Sequence, residues 1–290
     1  MSLLEKLSGS KRLLLNVELC PPRIDLPIEQ SVDAWIDSNR LIRKITSLGR
    51  FVFMTDGAIG KREEPNLRHV TLNLGPQTDR AQIVPILTTK HSLDYCLEFA
   101  ERAFELGFTS LVVLGGDKSD GEPRCVEHAH ELRRLIRKRV PEITLGGWTN
   151  PHGGLKQIEY MLDPDYSADF YLAQIVSHYQ TRQVDDFLNT SAKKGVKIPG
   201  IFGVFYYRSA NAKTLEMLSP FFPVPVEELK AGFHSGLTPI DMTVESIRSL
   251  LDRGVSNIYI SNLPLDTGGQ KLMQIEEKLE RGNSAAPEKV

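Results

Sequence analysis

The chain has 290 residues, 41% of them hydrophobic and 25% charged, with a formal net charge of −2. That balance suits a folded protein with a sizeable core. It argues against nucleic acid as the main partner, because neutralising phosphates leans on a basic surface. Three cysteines, Cys20, Cys96 and Cys125, are too few and too scattered for a disulfide framework and form no CxxC pair; a reducing cytoplasm and no metal site are expected.

From the N-terminus, MSLLEKLSGSKR has no apolar run leading to a small-residue cleavage site, and no window holds about 18 uninterrupted apolar residues, so neither export nor a membrane span is expected. Short β-rich apolar runs then follow at 13–19, 51–55, 82–88, 110–114, 143–147, 170–176, 198–205 and 257–261. Between them lie helical patterns. In SLDYCLEFAERAFELG, Leu93, Cys96, Leu97, Ala100 and Phe104 recur at helical spacing, and Gly107 stands where a helix would be capped. Segments 129–140, 181–194 and 243–253 read the same way.

Strand then helix, repeated about eight times, predicts an α/β protein of the (β/α)8 TIM-barrel class, whose strands are buried on both faces and read as continuous apolar runs. Alternation alone also fits a doubly wound open sheet; the count of eight favours closure. One catalytic domain over residues 1–283 is expected, followed by a small, polar tail at 284–290, which is expected to be disordered.

A barrel of this kind builds its site at the C-terminal ends of its strands. Those ends carry Glu18, Thr55, Thr88, the Gly115-Gly116-Asp117 turn, Trp148, His152, Gln174, His178, the Tyr206-Tyr207-Arg208 run and Asn262. Glu18 sits between Val17 and Leu19 and ahead of Pro21-Pro22, an acid held by stiff backbone rather than a loose strand end. Asp117 reads either as a turn or cap aspartate or as a ligand contact beside two glycines. Gln174 lies within an apolar strand, where its amide needs either a core partner or a ligand. His152 sits in a Gly/Pro-rich loop, as a structural or a catalytic residue. Trp148 and Tyr207 serve equally as packing or as platforms for a flat ring.

Several sharper motifs fail. DGAIGKR lacks the first glycine and the final Ser or Thr of a phosphate loop, and DKSDGEPRCVEH places Glu122 and His128 where a calcium loop needs glycine and glutamate. No GxGxxG, HExxH or GxSxG occurs.

Taken in order, the strand-end segments resemble the methylenetetrahydrofolate reductase family. VELCPPR resembles its EFFPP-type motif, FVFMTDGA its second strand, ILTTKHSLDYCLEFAERAFELGFTSLVVLGGD its third and fourth units, GGWTNPHGG its loop with an aromatic residue and a histidine, DFYLAQIV the strand presenting a folate-binding glutamine, and IPGIFGVFYYRS and GVSNIYISNL its closing strands. The resemblance runs collinearly over residues 14–263.

It implies reduction of 5,10-methylenetetrahydrofolate to 5-methyltetrahydrofolate in one-carbon metabolism, with NADH or NADPH as hydride donor and FAD at the barrel mouth. It also implies Glu18 and Asp117 as catalytic residues, Gln174 and Tyr207 as folate contacts, and Thr55, Thr88, Gly116, Trp148 and His152 as cofactor contacts. The sequence departs from the family pattern at Ile86, where the family has histidine, and at Gly115, where it has arginine; the flavin-gripping residues after the fifth strand have no counterpart in LKQIEYMLDPDYSADF. Transfer through FAD and direct transfer from nicotinamide therefore both stay open, beside a folate-binding barrel without reductase activity and another folate-dependent barrel enzyme. The partners expected are a folate and a nicotinamide cofactor; a homo-oligomer is left open.

Overall fold

The computed structural model describes residues 2–9, 12–22, 25–55, 64–116 and 122–284. Eight parallel strands close in the order of the chain. They are β1 (Leu14–Leu19), β2 (Val52–Met54), β3 (Ile83–Thr88), β4 (Ser110–Leu114), β5 (Thr144–Thr149), β6 (Phe170–Ile175), β7 (Gly200–Phe205) and β8 (Asn257–Ser261). The helices among the described residues are α1 (Leu3–Gly9), α2 (Ile28–Ser47), α3 (Glu64–Asn73), α4 (Leu93–Glu105), α5 (Ala129–Arg139), α6 (Leu155–Leu162), α7 (Thr181–Lys194), α8 (Ala212–Leu218), α9 (Val226–His234), α10 (Pro239–Leu251) and α11 (Gly268–Ser284). The chain is thus the expected (β/α)8 barrel, and each of the eight apolar runs meets one strand, β5 continuing two residues past its run to Thr149.

Strand alternation sorts the side chains into two cores. Leu15, Val17 and Leu19 face the surrounding helices, whereas Leu14, Phe53, Ile86, Val112 and Leu172 fill the barrel. Filling works by pairing small residues with large ones: a Cβ at Gly146 would lie 2.5 Å from the Phe170 ring, and one at Gly203 would lie 2.4 Å from the Tyr259 ring. Asn16 is fully buried and ties three strands together, giving its amide to the Ile258 carbonyl (3.3 Å) and accepting from the Phe51 N–H (3.0 Å).

Local chemistry sets the helix ends. Ser92 caps α4 by accepting from the Tyr95 N–H, and Gly107 follows that helix with φ +92°. The helix expected from residue 243 begins instead at Pro239, because Thr238 and Asp241 form a capping box ahead of the first apolar turn. Ser284, expected to open the tail, closes α11, and 285–290 lie outside the described residues.

Helix α1 lies at the end of the barrel where the strands begin. Leu3 and Leu7 pack with Leu14 and Phe51, and Asn257, the first residue of β8, bonds the Leu7 carbonyl at 3.3 Å. At the opposite end, the segment after β7 forms α8 and α9 before the chain reaches α10. Among the described residues no helix is long and apolar enough to cross a membrane.

Candidate functional site at the barrel mouth

A cavity of about 200 Å³ opens at the C-terminal ends of the strands. Glu18, Trp148, Gln174, Phe205, Phe222 and Ser261 line it, with Tyr259 in its wall. Larger clefts lie elsewhere, about 340 Å³ between α6 and α7 and about 1230 Å³ beside α1. The second lies where the strands begin, and the first reaches the loop after β5 through Pro151 and His152 but includes no strand residue.

The register brings the acid and its neighbours together. Glu18 of β1 stands opposite Ser261 of β8, and Ser261 stands opposite Phe205 of β7. Glu18 is partly exposed, and the surface it retains opens into the cavity rather than onto the outside of the molecule. Burial raises its pKa above the ordinary carboxylate value, opposed only by a hydrogen bond from Ser261. Its surroundings explain the direction: Ile86, Leu114 and Leu172 share the cavity, and among the described residues no cation lines it.

Tyr259 donates to the Ala173 carbonyl at 2.9 Å, and its own pKa is pushed well above normal, first by burial and then by the nearby Glu18 carboxylate. Burial thus favours the protonated form of Glu18 beside the cavity.

On β6 the ladder to β7 shifts register between Ala173 and Ile175, so Gln174 and Ile175 both reach the cavity. The Gln174 amide is already engaged. Its oxygen accepts from the Ile175 N–H (2.8 Å), and its nitrogen donates to the Phe221 carbonyl (3.0 Å) in the turn joining α8 to α9. That turn lays Phe222 over the mouth, 5.2 Å from the Phe205 ring. Tyr207 supports it from beneath: it is buried, its ring lies 4.9 Å from Phe205, and its hydroxyl has no partner among the described residues.

Of the residues expected to bear on function, Glu18, Trp148 and Gln174 come together in one cavity, and Tyr207 packs behind its aromatic wall. Asp117 lies outside the described residues. Thr55 extends the β1–β2 ladder by donating its N–H to the Leu19 carbonyl at 3.0 Å. Thr88 is buried at the end of β3, its hydroxyl without a partner among the described residues.

Gly116 takes φ +68°, and its carbonyl accepts from Arg124. The Arg124 guanidinium also packs on Gly115, where a Cβ would meet it at 2.9 Å. His152 bonds the Ile175 carbonyl through Nε2 (3.1 Å) and lines the outer cleft beside α6 and α7; burial lowers its pKa, partly offset by that bond. Asn262 adopts φ +69° and bonds the Tyr206 carbonyl at 3.0 Å, clasping the ends of β7 and β8.

The five residues expected as cofactor contacts do not all line this cavity: Trp148 does, His152 lines the outer cleft, and the Gly116 carbonyl accepts from Arg124. The cavity is also smaller than the ~300–1,000 Å³ typical of sites enclosing ligands of drug size. Among the described residues no group of three His, Cys, Asp or Glu is placed to hold a metal ion.

Three residues at the site were not among those expected. Tyr259 and Ser261 belong to β8, Ser261 as its last residue, and their partnership with Glu18 depends on barrel closure. Phe222 lies far along the chain from any strand end.

Fold and site together define a (β/α)8 barrel whose mouth holds one acid of raised pKa beside an aromatic wall. No protein-family model matches the sequence, and no curated protein matches it. Among solved structures, the chain is similar to an uncharacterized protein from Clostridium thermocellum that binds two copies of 5-methyl-5,6,7,8-tetrahydrofolic acid. The identity is 14%, the TM-score 0.66, and the match covers 94% of this chain and 98% of that one. A second likeness is to QR15, an aldolase, with 13% identity and a TM-score of 0.46 over 93% of this chain and 96% of that one. At these identities the likeness is one of fold.

Proposed function

We propose that the mouth cavity binds the pterin of a reduced folate and that Glu18 protonates it, in a divergent relative of the methylenetetrahydrofolate reductases. The observation that carries this reading is a carboxyl group of raised pKa facing a cavity of about 200 Å³ walled by Trp148 and Phe205. The folate-binding neighbour of the same fold supports it.

In the reaction proposed, 5,10-methylenetetrahydrofolate enters with its fused ring against Trp148. Glu18 gives its proton to N10 as the bond from N10 to the bridging carbon breaks. This leaves an iminium at N5, and hydride from a reduced nicotinamide adds to that carbon to give the 5-methyl group. Ser261 keeps the Glu18 carboxyl turned toward the substrate. The Gln174 amide exchanges its bond to Phe221 for one to the pterin edge. No step is assigned to FAD, because the residues expected as cofactor contacts do not share one surface among the described residues.

A second reading, a folate-binding barrel without reduction, is favoured by that separation and by the small cavity. One experiment separates the two. Calorimetric titration with 5-methyltetrahydrofolate is run beside an assay of NADH or NADPH oxidation with 5,10-methylenetetrahydrofolate, with and without added FAD. Binding with turnover that is lost in Glu18→Gln supports the reductase; binding without turnover leaves the binding protein; absence of folate binding removes both.

A further inference from the structure

Helix α2 turns an apolar stripe outward. Ile28, Val32 and Ile36 are 84%, 53% and 44% exposed, and Leu72 of the neighbouring α3 is 69% exposed. The two helices are held side by side by the Trp35–His69 stack (4.2 Å, 6°) and by the bond from Arg43 to the Asn73 carbonyl (3.1 Å), so the stripe sits on a supported surface. Scattered exposed apolar residues need no explanation, but three in register at successive turns do.

The charges around the stripe are ordered along the helix. Glu29 and Asp33 are exposed in its first half; Arg40, Arg43 and Lys44 are exposed in its second. At about 100° per residue, Glu29, Val32, Asp33, Ile36, Arg40 and Arg43 all fall within about 120° of arc, on the one face centred on Ile36. Such a face is complementary to itself turned end for end.

We propose that this face is a self-association surface, on which a second copy of the chain docks its own α2 antiparallel about a two-fold axis passing beside Ile36. In that arrangement Ile36 meets Ile36 of the second copy, and Val32 packs on the Arg40 stem. Glu29 and Asp33 of each copy face Arg43 and Arg40 of the other. The contact is isologous: every pairing occurs twice, which closes the assembly at two copies. The pair between Arg40 and Asp37 within one helix (3.2 Å) is exposed and readily exchanged. This inference is independent of what the mouth binds.

Sedimentation velocity of the full chain at low salt tests it. The expected species has about twice the 32.6 kDa chain mass and dissociates as salt is raised. Asp33→Arg alone and Arg40→Asp alone each set like charges across the axis and weaken association by about tenfold or more. Mixing those two variants in equal amounts restores the dimer, because each then supplies the charge the other lacks. Ile36→Glu, at an exposed position, leaves the far-ultraviolet circular dichroism unchanged and the chain monomeric. A wild-type monomer at the highest soluble concentration, a dimer surviving Ile36→Glu, or a mixture that fails to reassociate overturns the proposal.

Discussion

Replacing Glu18 by glutamine is expected to make the protein more stable while removing its chemistry, and the gain is expected to depend on pH. In the unfolded chain Glu18 has an ordinary carboxylate pKa; in the barrel burial raises it. Below the unfolded value the group is protonated in both states and contributes nothing. As pH rises through the interval between the two values, the unfolded chain gives up its proton while the folded one retains it, and folding is penalised increasingly until the folded value is passed. Each tenfold change in proton affinity is worth about 1.4 kcal/mol.

Glutamine keeps the shape and the hydrogen bond with Ser261 without the ionisation. Relief of an imperfectly paired buried group is worth about 1–3 kcal/mol. For a chain of this length that is a rise of about 2–6 °C in melting temperature at pH 8. Thermal melts of both proteins at pH 8 and pH 4.5 measure it, with the difference between them shrinking toward zero at the lower pH. An equal difference at both pH values, or a less stable Glu18→Gln at pH 8, would refute the buried-acid argument.

Two further outcomes follow from the same geometry. Gly203→Ala drives a methyl group to 2.4 Å from the Tyr259 ring and 2.9 Å from Ile175, so its urea midpoint should fall by the equivalent of about 1–3 kcal/mol; an unchanged midpoint would mean that the barrel interior has slack there. Of the two tryptophans, Trp148 lines the cavity and Trp35 stacks on His69 outside the barrel. Folate should therefore quench the emission of Trp35→Phe and leave that of Trp148→Phe unaltered, and the reverse pattern would move the site away from the mouth.

The strands were readable because burial on both faces leaves nearly unbroken apolar runs, and Glu18 was readable because an acid interrupts one of them beside two prolines. Its environment was not. Ser261 and Tyr259 lie more than 240 residues further along the chain, and only the closure of β8 onto β1 makes them its neighbours. Gln174 illustrates a different limit: both a core partner and a ligand contact were open, and the structure supplies the Phe221 carbonyl while leaving the side chain in the cavity. The α8–α9 segment carried no strong periodic signal, since helices of 7 and 9 residues present too few turns to set one.

Among the described residues, helix α1 packs across one end of the barrel and the Phe221–Phe222 turn lies over the other, so a guest in the mouth cavity arrives and departs past that turn. Trimming Phe222 would then lower one barrier that both directions must cross. Association and dissociation would both accelerate, dissociation the more because the Phe222 ring also lines the cavity, so the residence time would shorten.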